Sequence, residues 1–241
     1  CKPVINYSIN KSDGVTAVSN SLKEETINLF SITNNINVIP NFIDIEKYSK
    51  VKRNPYRSKL CPKGERLLIH TSNFRKVKRI QDVINVFCKI NKEIPSKLIM
   101  IGDGPERANI ESLTRSLCSL RDVMFIGKIP DVETVLYKAD LFLLTSEKES
   151  FGLSALEAMA SSVPVISSNA GGLPELVEEG ISGFTCDIGD VNSMSEKAIK
   201  VLDKKNLSGF KENALRIANN YDINIILPKY VEFYKNILNK G

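Results

Sequence analysis

The distribution of apolar residues along the chain changes near residue 66. From there on, short continuous apolar runs alternate with longer segments of helical periodicity. Continuous apolar strands joined by helices are typical of a parallel sheet that is covered on both faces. The predicted strands are 66–72, 96–102, 123–127, 140–146, 163–168 and 183–187. Because such connections are right-handed, the pattern predicts a Rossmann-like, doubly wound α/β domain.

The other elements follow from periodicity and capping residues. Two short strands are predicted at 14–19 and 35–41, and Ser19 or Asn20 is the expected N-cap of the helix between them. The predicted helices of the α/β domain are 80–93, 106–118, 132–138, 174–179 and one that begins at 151 or 152. A last helix, 225–240, has apolar residues at 226, 230, 233 and 237, and we expect it to lie on a separate surface.

A polar stretch rich in Lys, Arg and Pro separates the two parts of the chain. It covers 44–65 and has little periodicity, so it is interpreted as a linker. The predicted organisation is 1–43, the linker 44–65, the α/β domain 66–222 and a C-terminal helix 223–241. The chain does not begin with Met, and its first residues resemble the interior of a protein. We therefore expect it to be part of a longer protein.

Composition excludes several classes of function. The 241 residues are 42% hydrophobic and 25% charged, as in globular proteins, and no run approaches the roughly 20 apolar residues that cross a bilayer. Five cysteines are scattered singly beside one histidine, which predicts neither a metal cluster nor a disulfide framework and favours a reducing cytoplasm. A net charge of +5 favours anionic ligands, but it is too small to predict nucleic-acid binding.

Ligands of such sheets bind outside the carboxyl ends of the strands. The segments that follow the strands are 71–78, 102–106, 127–130, 146–152 and 169–175. The segment RKVKR is basic, and its Arg75 and Lys78 are candidates to neutralise a diphosphate, although a solvated loop would have the same composition. The turn GDGPE, which begins at Gly102, lacks the third glycine of a dinucleotide fingerprint and predicts only a tight turn.

The most informative segment is EKESFGLSALEAMA, 147–160. Within it, Glu157 shares a helix face with the apolar residues Leu153, Leu156 and Ala160. A carboxylate on an apolar face needs a hydrogen-bonding partner, and the hydroxyl pair of a sugar or ribose would supply one.

The start of this helix is a candidate diphosphate site. Ser150 is the expected N-cap, and Gly152 would leave room for a phosphate near the free amides of the first turn. Glu149 would contact a second polyol. Spacing alone equally allows Glu149 to be a helix-start acid and Glu157 a surface residue.

Two further features remain ambiguous or structural. Gly171 and Gly172 precede a helix, and they form either a plain loop or a loop that offers amides to a ligand. His70 at a strand end is interpreted as structural, because one histidine in a sheet core cannot complete a Ser/His/Asp or Cys/His set.

Several segments together resemble the C-terminal half of retaining GT-B glycosyltransferases of family 4, also called group 1. They are GDGPE, FIGKIPDVETVLYKADLFLLTSEKE and SEKESFGLSALEAMASSVPVISSNAGGLPELVEEGISGF, which match in order and spacing. The segments IHTSNFRKVKRIQDVINVF and DGVTAVSNSLKEET are similar to the subfamily of N-acetylglucosaminyl L-malate synthases of bacillithiol biosynthesis. The resemblance extends from residue 12 to the C-terminus and favours the ligand interpretation of the two glutamates.

The resemblance implies a role for each candidate residue. Glu149 would bind the donor sugar, Glu157 the ribose, and the segment from Ser150 through Phe151 and Gly152 to Leu153 the diphosphate. Lys78 and Arg75 would stabilise departing UDP without a metal or another cofactor. The remaining donor contacts would come from Lys128 and Ile129 at the base, and from Asn73 and Gly102 beside the phosphates.

The implied partners are a UDP-sugar and, in the full enzyme, a small hydroxy-acid acceptor. Nucleic acid and firm membrane contact are not expected, and a homo-oligomer is compatible with the family. Residues 1–43 would be the end of the acceptor domain and the hinge, so the fragment alone is expected to be inactive. Alternatives are a family 4 enzyme with a lipid or polysaccharide acceptor, and a nucleotide-binding module without catalysis.

The chain departs from the family pattern at two positions in the sequence, and the family's N-terminal domain is largely absent from it. Asn73 stands where many relatives have arginine, and Ser161 and Ser162 stand where a Cys-Gly or similar pair is common. We expect Arg75 to replace the missing arginine and the two serines to cause only local repacking. The aromatic face of the last helix, with Tyr230 and Phe233, is expected to be uncovered or self-associated, because its usual partner domain lies outside this sequence.

Overall fold

The computed structural model describes residues 2–49, 56–117 and 121–239. A small N-terminal unit contains two helices and two short parallel strands around a core of Ala17, Ile32 and Ile36. Its elements are α1 (Lys2–Asn10), β1 (Val15–Ala17), α2 (Asn20–Phe30) and β2 (Ile36–Val38). Ser19 is the N-cap of α2, and its hydroxyl accepts a hydrogen bond from the amide of Leu22. One of the two predicted capping residues is thereby confirmed.

The stretch 44–65, interpreted as a linker, contains two short helices. They are α3 (Ile45–Ser49) and α4 (Tyr56–Leu60), and Tyr48 of α3 is buried against the main core. Low periodicity hid them because helices of one or two turns show too few apolar positions to define a face.

The main sheet has six parallel strands, as predicted. They are β3 (Arg66–Thr71), β4 (Ser96–Ile101), β5 (Val123–Gly127), β6 (Leu141–Leu144), β7 (Val165–Ser168) and β8 (Gly183–Cys186). Their order across the sheet is β5-β4-β3-β6-β7-β8. The strand order reverses between β3 and β6, which is where ligands of doubly wound sheets bind.

Helices cover both faces of this sheet. They are α5 (Ile80–Glu93), α6 (Arg107–Leu117), α7 (Glu133–Leu136), α8 (Leu153–Ala160), α9 (Leu173–Leu176), α10 (Val191–Leu202) and α11 (Leu207–Ala218). Successive residues of β3 enter opposite cores: Leu67 packs with α8 and α11, whereas Leu68 packs with α5 and α10. The helix predicted at 174–179 is only one turn long, because the chain leaves it at Val177 in an extended conformation.

The chain passes between the N-terminal unit and the sheet domain twice, at adjacent positions. Ile43 forms a parallel bridge with Asp222, and its amide donates to the carbonyl oxygen of Tyr221 at 3.0 Å. The amide of Ile223 returns a bond of 2.9 Å to Ile43. Beyond this paired crossing, α12 (Ile223–Leu238) lies on the N-terminal unit.

The aromatic face of α12 contacts the N-terminal unit and is half-buried, which corrects the expectation of an uncovered face. The Tyr230 hydroxyl donates to the carbonyl of Ile39 at 3.0 Å, and its ring packs edge-on against Phe42. Gly14 lies so close to Phe233 and Ile237 that a Cβ there would collide with both. The N-terminal unit therefore covers part of this face.

In the described ranges, no helix is long and apolar enough to span a membrane. Cys61 and Cys186 are buried thiols, whereas Cys88 is disulfide-bonded, a cross-link that the scattered cysteines had not predicted.

Candidate functional site

Lys78 is held at the carboxyl edge of the sheet by the strand on the other side of the switch point. It ends a 3-10 turn, Lys76–Lys78, that follows β3. The hydroxyl of Thr145, just after β6, donates to the carbonyls of Lys78 and Arg79 at 3.1 and 2.9 Å. These bonds fix the backbone that presents Lys78, so its direction depends on both central strands.

Glu149 forms an ion pair with Lys78. The Nζ atom of Lys78 lies 2.5 Å from Oε1 of Glu149, and the same oxygen accepts a bond of 3.1 Å from the hydroxyl of Ser146. Only 18% of the Lys78 side chain and 14% of the Glu149 side chain are exposed. The structure therefore brings together two residues predicted for the sugar and the leaving group.

The start of α8 differs from the prediction. The N-cap is Gly152 rather than Ser150, with a φ of 98° and no side-chain capping bond. A Cβ on Gly152 would lie 2.5 Å from Leu173, so glycine is required here by the backbone conformation and the protein's own packing. Leu153 is 46% exposed, so the buried residues of α8 begin only at Ala155.

The amides that precede α8 are available for a ligand. Among the described residues, no hydrogen-bond acceptor is found for the backbone N–H groups of Phe151, Gly152 and Leu153. Unpaired amides at a helix N-terminus carry partial positive charge and bind anions. Lys78 and these amides therefore place a cation and several free N–H donors at the same edge of the sheet, an arrangement that suits an anion.

The glycine pair after β7 supports the loop that carries Glu149. The amide of Gly172 donates to the carbonyl of Glu149 at 3.0 Å, so it serves the protein rather than a ligand. A Cβ on Gly171 would lie 1.8 Å from that carbonyl oxygen, and Gly171 has a φ of 54°. Glycine is needed because two loops cross here at backbone contact.

The GDGPE turn supports the loop after β3 through backbone contacts of the same kind. A Cβ on Gly102 would lie 1.8 Å from the carbonyl oxygen of Ser72, and the Gly102 amide is bonded to Gly127 at 2.8 Å. The amide of Phe74 donates to Asp103 at 3.0 Å. Gly102 therefore brings the β3 and β4 loops together, and its own amide is already engaged.

Glu157 lies on α8, half-buried where α8 packs against α3. The hydroxyl of Tyr48 donates a hydrogen bond to its carboxylate. Burial raises the pKa of Glu157, and the neighbouring carboxylate of Glu133 adds to the rise, whereas the Tyr48 bond and the charge of Lys47 oppose it. Burial likewise raises the pKa of Tyr48, so its hydroxyl stays protonated and remains a donor.

A second carboxylate lies near Glu157. Glu133 is 6% exposed, and its Oε1 is 3.2 Å from the ammonium group of Lys47. Its Oε2 is buried without a protein hydrogen-bond partner in the part of the chain that the structure describes. The site is therefore acidic near Glu157, and one carboxylate oxygen there has no hydrogen-bond donor from the described protein residues.

The other predicted residues are placed less specifically. Asn73 and Arg75 are exposed in the loop before the 3-10 turn, and Lys128 is exposed after β5. Ile129 packs against the core below α8. Their predicted contacts with phosphate and base stay predictions.

His70 is structural, in agreement with the sequence interpretation. Its Nδ1 donates to the carbonyl of Leu143 and its Nε2 accepts from the hydroxyl of Ser72, each at 2.8 Å. Complete burial lowers the pKa of His70 to about 4, so the ring is neutral at pH 7. It therefore links β3 to β6 directly below the Lys78 loop.

Two contributors to the site were not assigned to it from the sequence. Tyr48 lies in the predicted linker, where no motif marks it. Ser19 was predicted as a helix cap, but its hydroxyl also donates to the carbonyl of Ser150 at 2.6 Å, 131 residues away in the sequence. A cleft of about 550 Å³ lies between α2 and the loops that carry Lys78 and Glu149. Its lining residues are Ser21, Leu22, Glu25, Lys78, Glu147, Lys148, Glu149, Ser150 and Gly171.

A six-stranded parallel sheet in this order, with helices on both faces, is the architecture of the GT-B glycosyltransferases. The sequence profile described as Glycosyl transferases group 1 matches residues 52–220, and the chain belongs to this family. N-acetyl-alpha-D-glucosaminyl L-malate synthase of Bacillus anthracis is 43% identical over 205 residues, which are 85% of this chain and 54% of that protein. The chain thus spans about half the length of this curated relative.

Solved structures show the same fold. A glycosyltransferase from Rickettsia africae superposes with a TM-score of 0.86 at 22% identity, over 100% of this chain and 67% of that one. HepE from Anabaena, determined in complex with UDP, gives a TM-score of 0.84 at 24% identity, over 98% and 68% of the two chains.

Proposed function

We propose that this chain is the donor-binding part of a retaining, cytoplasmic glycosyltransferase that transfers GlcNAc from UDP-GlcNAc to the hydroxyl of L-malate. The observation that carries the proposal is the Lys78–Glu149 ion pair beside the unpaired amides before α8. The 43% identity to the Bacillus anthracis synthase supports the choice of donor and acceptor.

In this proposal the site is divided along the donor. Glu157 accepts hydrogen bonds from the ribose, and the amides of Phe151, Gly152 and Leu153 bind the diphosphate. Lys78, with Arg75 in support, neutralises the leaving phosphate. Glu149 accepts hydrogen bonds from sugar hydroxyls, and backbone groups at Lys128 and Ile129 contact the base.

The reaction requires no protein nucleophile. The bond between the anomeric carbon and the β-phosphate oxygen breaks, and the malate hydroxyl oxygen bonds to the same face of that carbon. The hydroxyl proton passes to the departing phosphate oxygen, so charge and atoms balance. Lys78 compensates the negative charge that develops on UDP, which is the role a divalent metal has in other transferases.

Calorimetric titration of this chain with UDP, in the absence of divalent metal, tests the donor assignment. We expect UDP to bind at least about tenfold more tightly than GDP or ADP, and Glu157→Gln to remove most of that affinity. Equal binding of the three nucleotides, or no binding, would contradict the assignment.

A transfer assay with the complete enzyme tests the acceptor. Malate should be glycosylated in preference to glycerol or a lipid hydroxyl, and Glu149→Gln should abolish transfer. Transfer to a lipid or polysaccharide instead would favour a different acceptor within the same family. Nucleotide binding without any transfer would favour a non-catalytic module.

A further inference from the structure

Ser19 joins the N-terminal unit to the loop that precedes α8. Its side chain is in two hydrogen bonds: it accepts from the amide of Leu22 at 3.1 Å and donates to the carbonyl of Ser150 at 2.6 Å. Only 2% of Ser19 is exposed. The first bond caps α2, but the second has no role in α2, so it requires a separate explanation.

The carbonyl of Ser150 and the amide of Phe151 belong to one peptide group. No peptide bond in the described residues is cis, and in a trans peptide the C=O and N–H bonds point in opposite directions. A bond from Ser19 to the carbonyl therefore fixes the direction of the Phe151 N–H. It also polarises the peptide, which makes that N–H a stronger donor.

The preceding peptide is fixed in the same way. The amide of Gly172 donates to the carbonyl of Glu149 at 3.0 Å, and this carbonyl shares a peptide with the N–H of Ser150. Two consecutive peptides thus have their carbonyls held by protein donors. Among the described residues, neither of the two opposite N–H groups has an acceptor.

The position of Ser19 is itself constrained by Glu175 of α9 and by Gly172 just before that helix. Glu175 accepts bonds from the backbone amides of Asn20 and Ser21 at 2.9 and 2.8 Å, and from the side-chain amide of Asn20 at 2.9 Å. A Cβ on Gly172 would lie 2.6 Å from the Ser150 oxygen and 3.0 Å from the Cβ of Ser19. The N-cap of α2 is therefore held in close contact with the Ser150 loop.

We propose that Ser19 is a positioning residue for diphosphate binding: it orients the 150–151 peptide so that the Phe151 amide faces the nucleotide's phosphates. The proposal rests on the proposed function. It adds a residue from the N-terminal unit to a phosphate site otherwise built by the sheet domain, so affinity for the phosphates depends on contact between the two units.

Titration with UDP and with uridine, which lacks phosphates, tests the proposal. Ser19→Ala should weaken UDP about tenfold and change uridine less than about twofold, because only the phosphates use the oriented amide. Ser19→Thr keeps a hydroxyl and should restore UDP affinity. Ser19→Gly, a tolerated N-cap without a hydroxyl, should reproduce the UDP loss if the Ala variant fails to fold.

The matched control is Thr26→Val, which removes another hydroxyl of α2 that bonds only to Leu22 within the helix. It should leave both affinities within about twofold. Equal weakening of UDP and uridine by the Ser19 variants, or no weakening, would overturn the proposal. Failure of the proposed function is distinguishable, because wild-type protein would then bind UDP no better than GDP or ADP.

Discussion

Lys78 and Glu149 neutralise each other across the switch point of the sheet, with 2.5 Å between Nζ and Oε1. The two charges come from loops that follow different strands, and each side chain is largely buried. A bound diphosphate would compete with Glu149 for the same ammonium group. Removing the charge of Glu149 and removing the charge of Lys78 should therefore have opposite effects on the affinity for UDP.

Glu149→Gln should separate binding from transfer. The neutral amide releases Lys78, so we expect UDP to bind as tightly as in wild type or up to about threefold more tightly. Transfer by the complete enzyme should fall by at least about 100-fold, because the sugar loses its carboxylate. Calorimetry and a product assay measure the two effects, and a parallel loss of UDP affinity would contradict the assigned sugar role.

Lys78→Met should weaken UDP by about tenfold or more while leaving uridine unchanged. The control is Lys76→Met, which removes the same charge from an exposed position on the same 3-10 turn. Equal losses in the two variants would mean that general positive charge, rather than the position of Lys78, attracts the phosphates.

Tyr48→Phe tests whether Glu157 is oriented by α3. The change removes only the hydroxyl that bonds to the carboxylate, so UDP affinity should fall about three- to tenfold. Affinity for 2′-deoxy-UDP should change less, because a ribose hydroxyl is the group that Glu157 is assigned to bind. Tyr230→Phe, which loses a hydroxyl bond to Ile39 instead, should leave the ratio of the two affinities unchanged.

The pH dependence of stability should carry the signature of the chain's one histidine. Burial lowers the pKa of His70 to about 4 in the folded protein, so the buried imidazole stays neutral. In the unfolded chain the same imidazole takes up a proton below about pH 6.5. Its contribution is complete above pH 6.5 and is lost as the pH falls toward 4. Urea unfolding at about pH 7.5 and about pH 5 should show a loss on the order of 2 kcal/mol that is absent in His70→Gln.

Gly171→Ala should disrupt the site through its backbone. A Cβ would lie 1.8 Å from the carbonyl oxygen of Glu149, so we expect a loss of about 2 kcal/mol or more in the free energy of unfolding, with weaker UDP binding. Gly209→Ala in α11 is the control, since nothing lies within 4 Å of the added atom. There the stability should rise by about 0.5 kcal/mol. Thermal or urea unfolding distinguishes the two.

Ser162→Gly should stabilise the protein. Ser162 has a φ of 60°, a left-handed conformation that glycine adopts with less strain, so a gain of about 1 kcal/mol in the free energy of unfolding is expected. Ser161→Gly provides the contrast: its φ is −86° and its hydroxyl bonds to the carbonyl of Glu157, so stability should fall. A loss in both variants would show that the Ser162 side chain has a packing role.

The α/β domain was predictable because its buried strands are continuous apolar runs. The helix predicted at 80–93 is α5 within the same bounds, and all six strands are present. The segments around Lys78 and Glu149 were also predictable as neighbours, since the carboxyl ends of parallel strands meet at one edge.

Contacts made by single residues far apart in sequence were not predictable. Tyr48 reaches Glu157 from a helix of five residues, too short to produce a periodic pattern. Ser150 seemed a natural N-cap by residue type, but the positive φ of Gly152 moves the helix start two residues later. In both cases tertiary packing determines the local structure. Such packing leaves no recognisable pattern in the residues next to each position.

The two segments that join the N-terminal unit to the sheet domain are paired with each other at Ile43 and Asp222. The two covalent connections therefore lie side by side, at a pivot about which one unit would turn on the other. Tyr221, at that pivot, packs edge-on against Phe151 with 5.6 Å between ring centroids. Phe151, whose amide is assigned to the phosphates, thus also contacts the pivot. A rotation of one unit on the other and the binding of the nucleotide would therefore both displace Phe151.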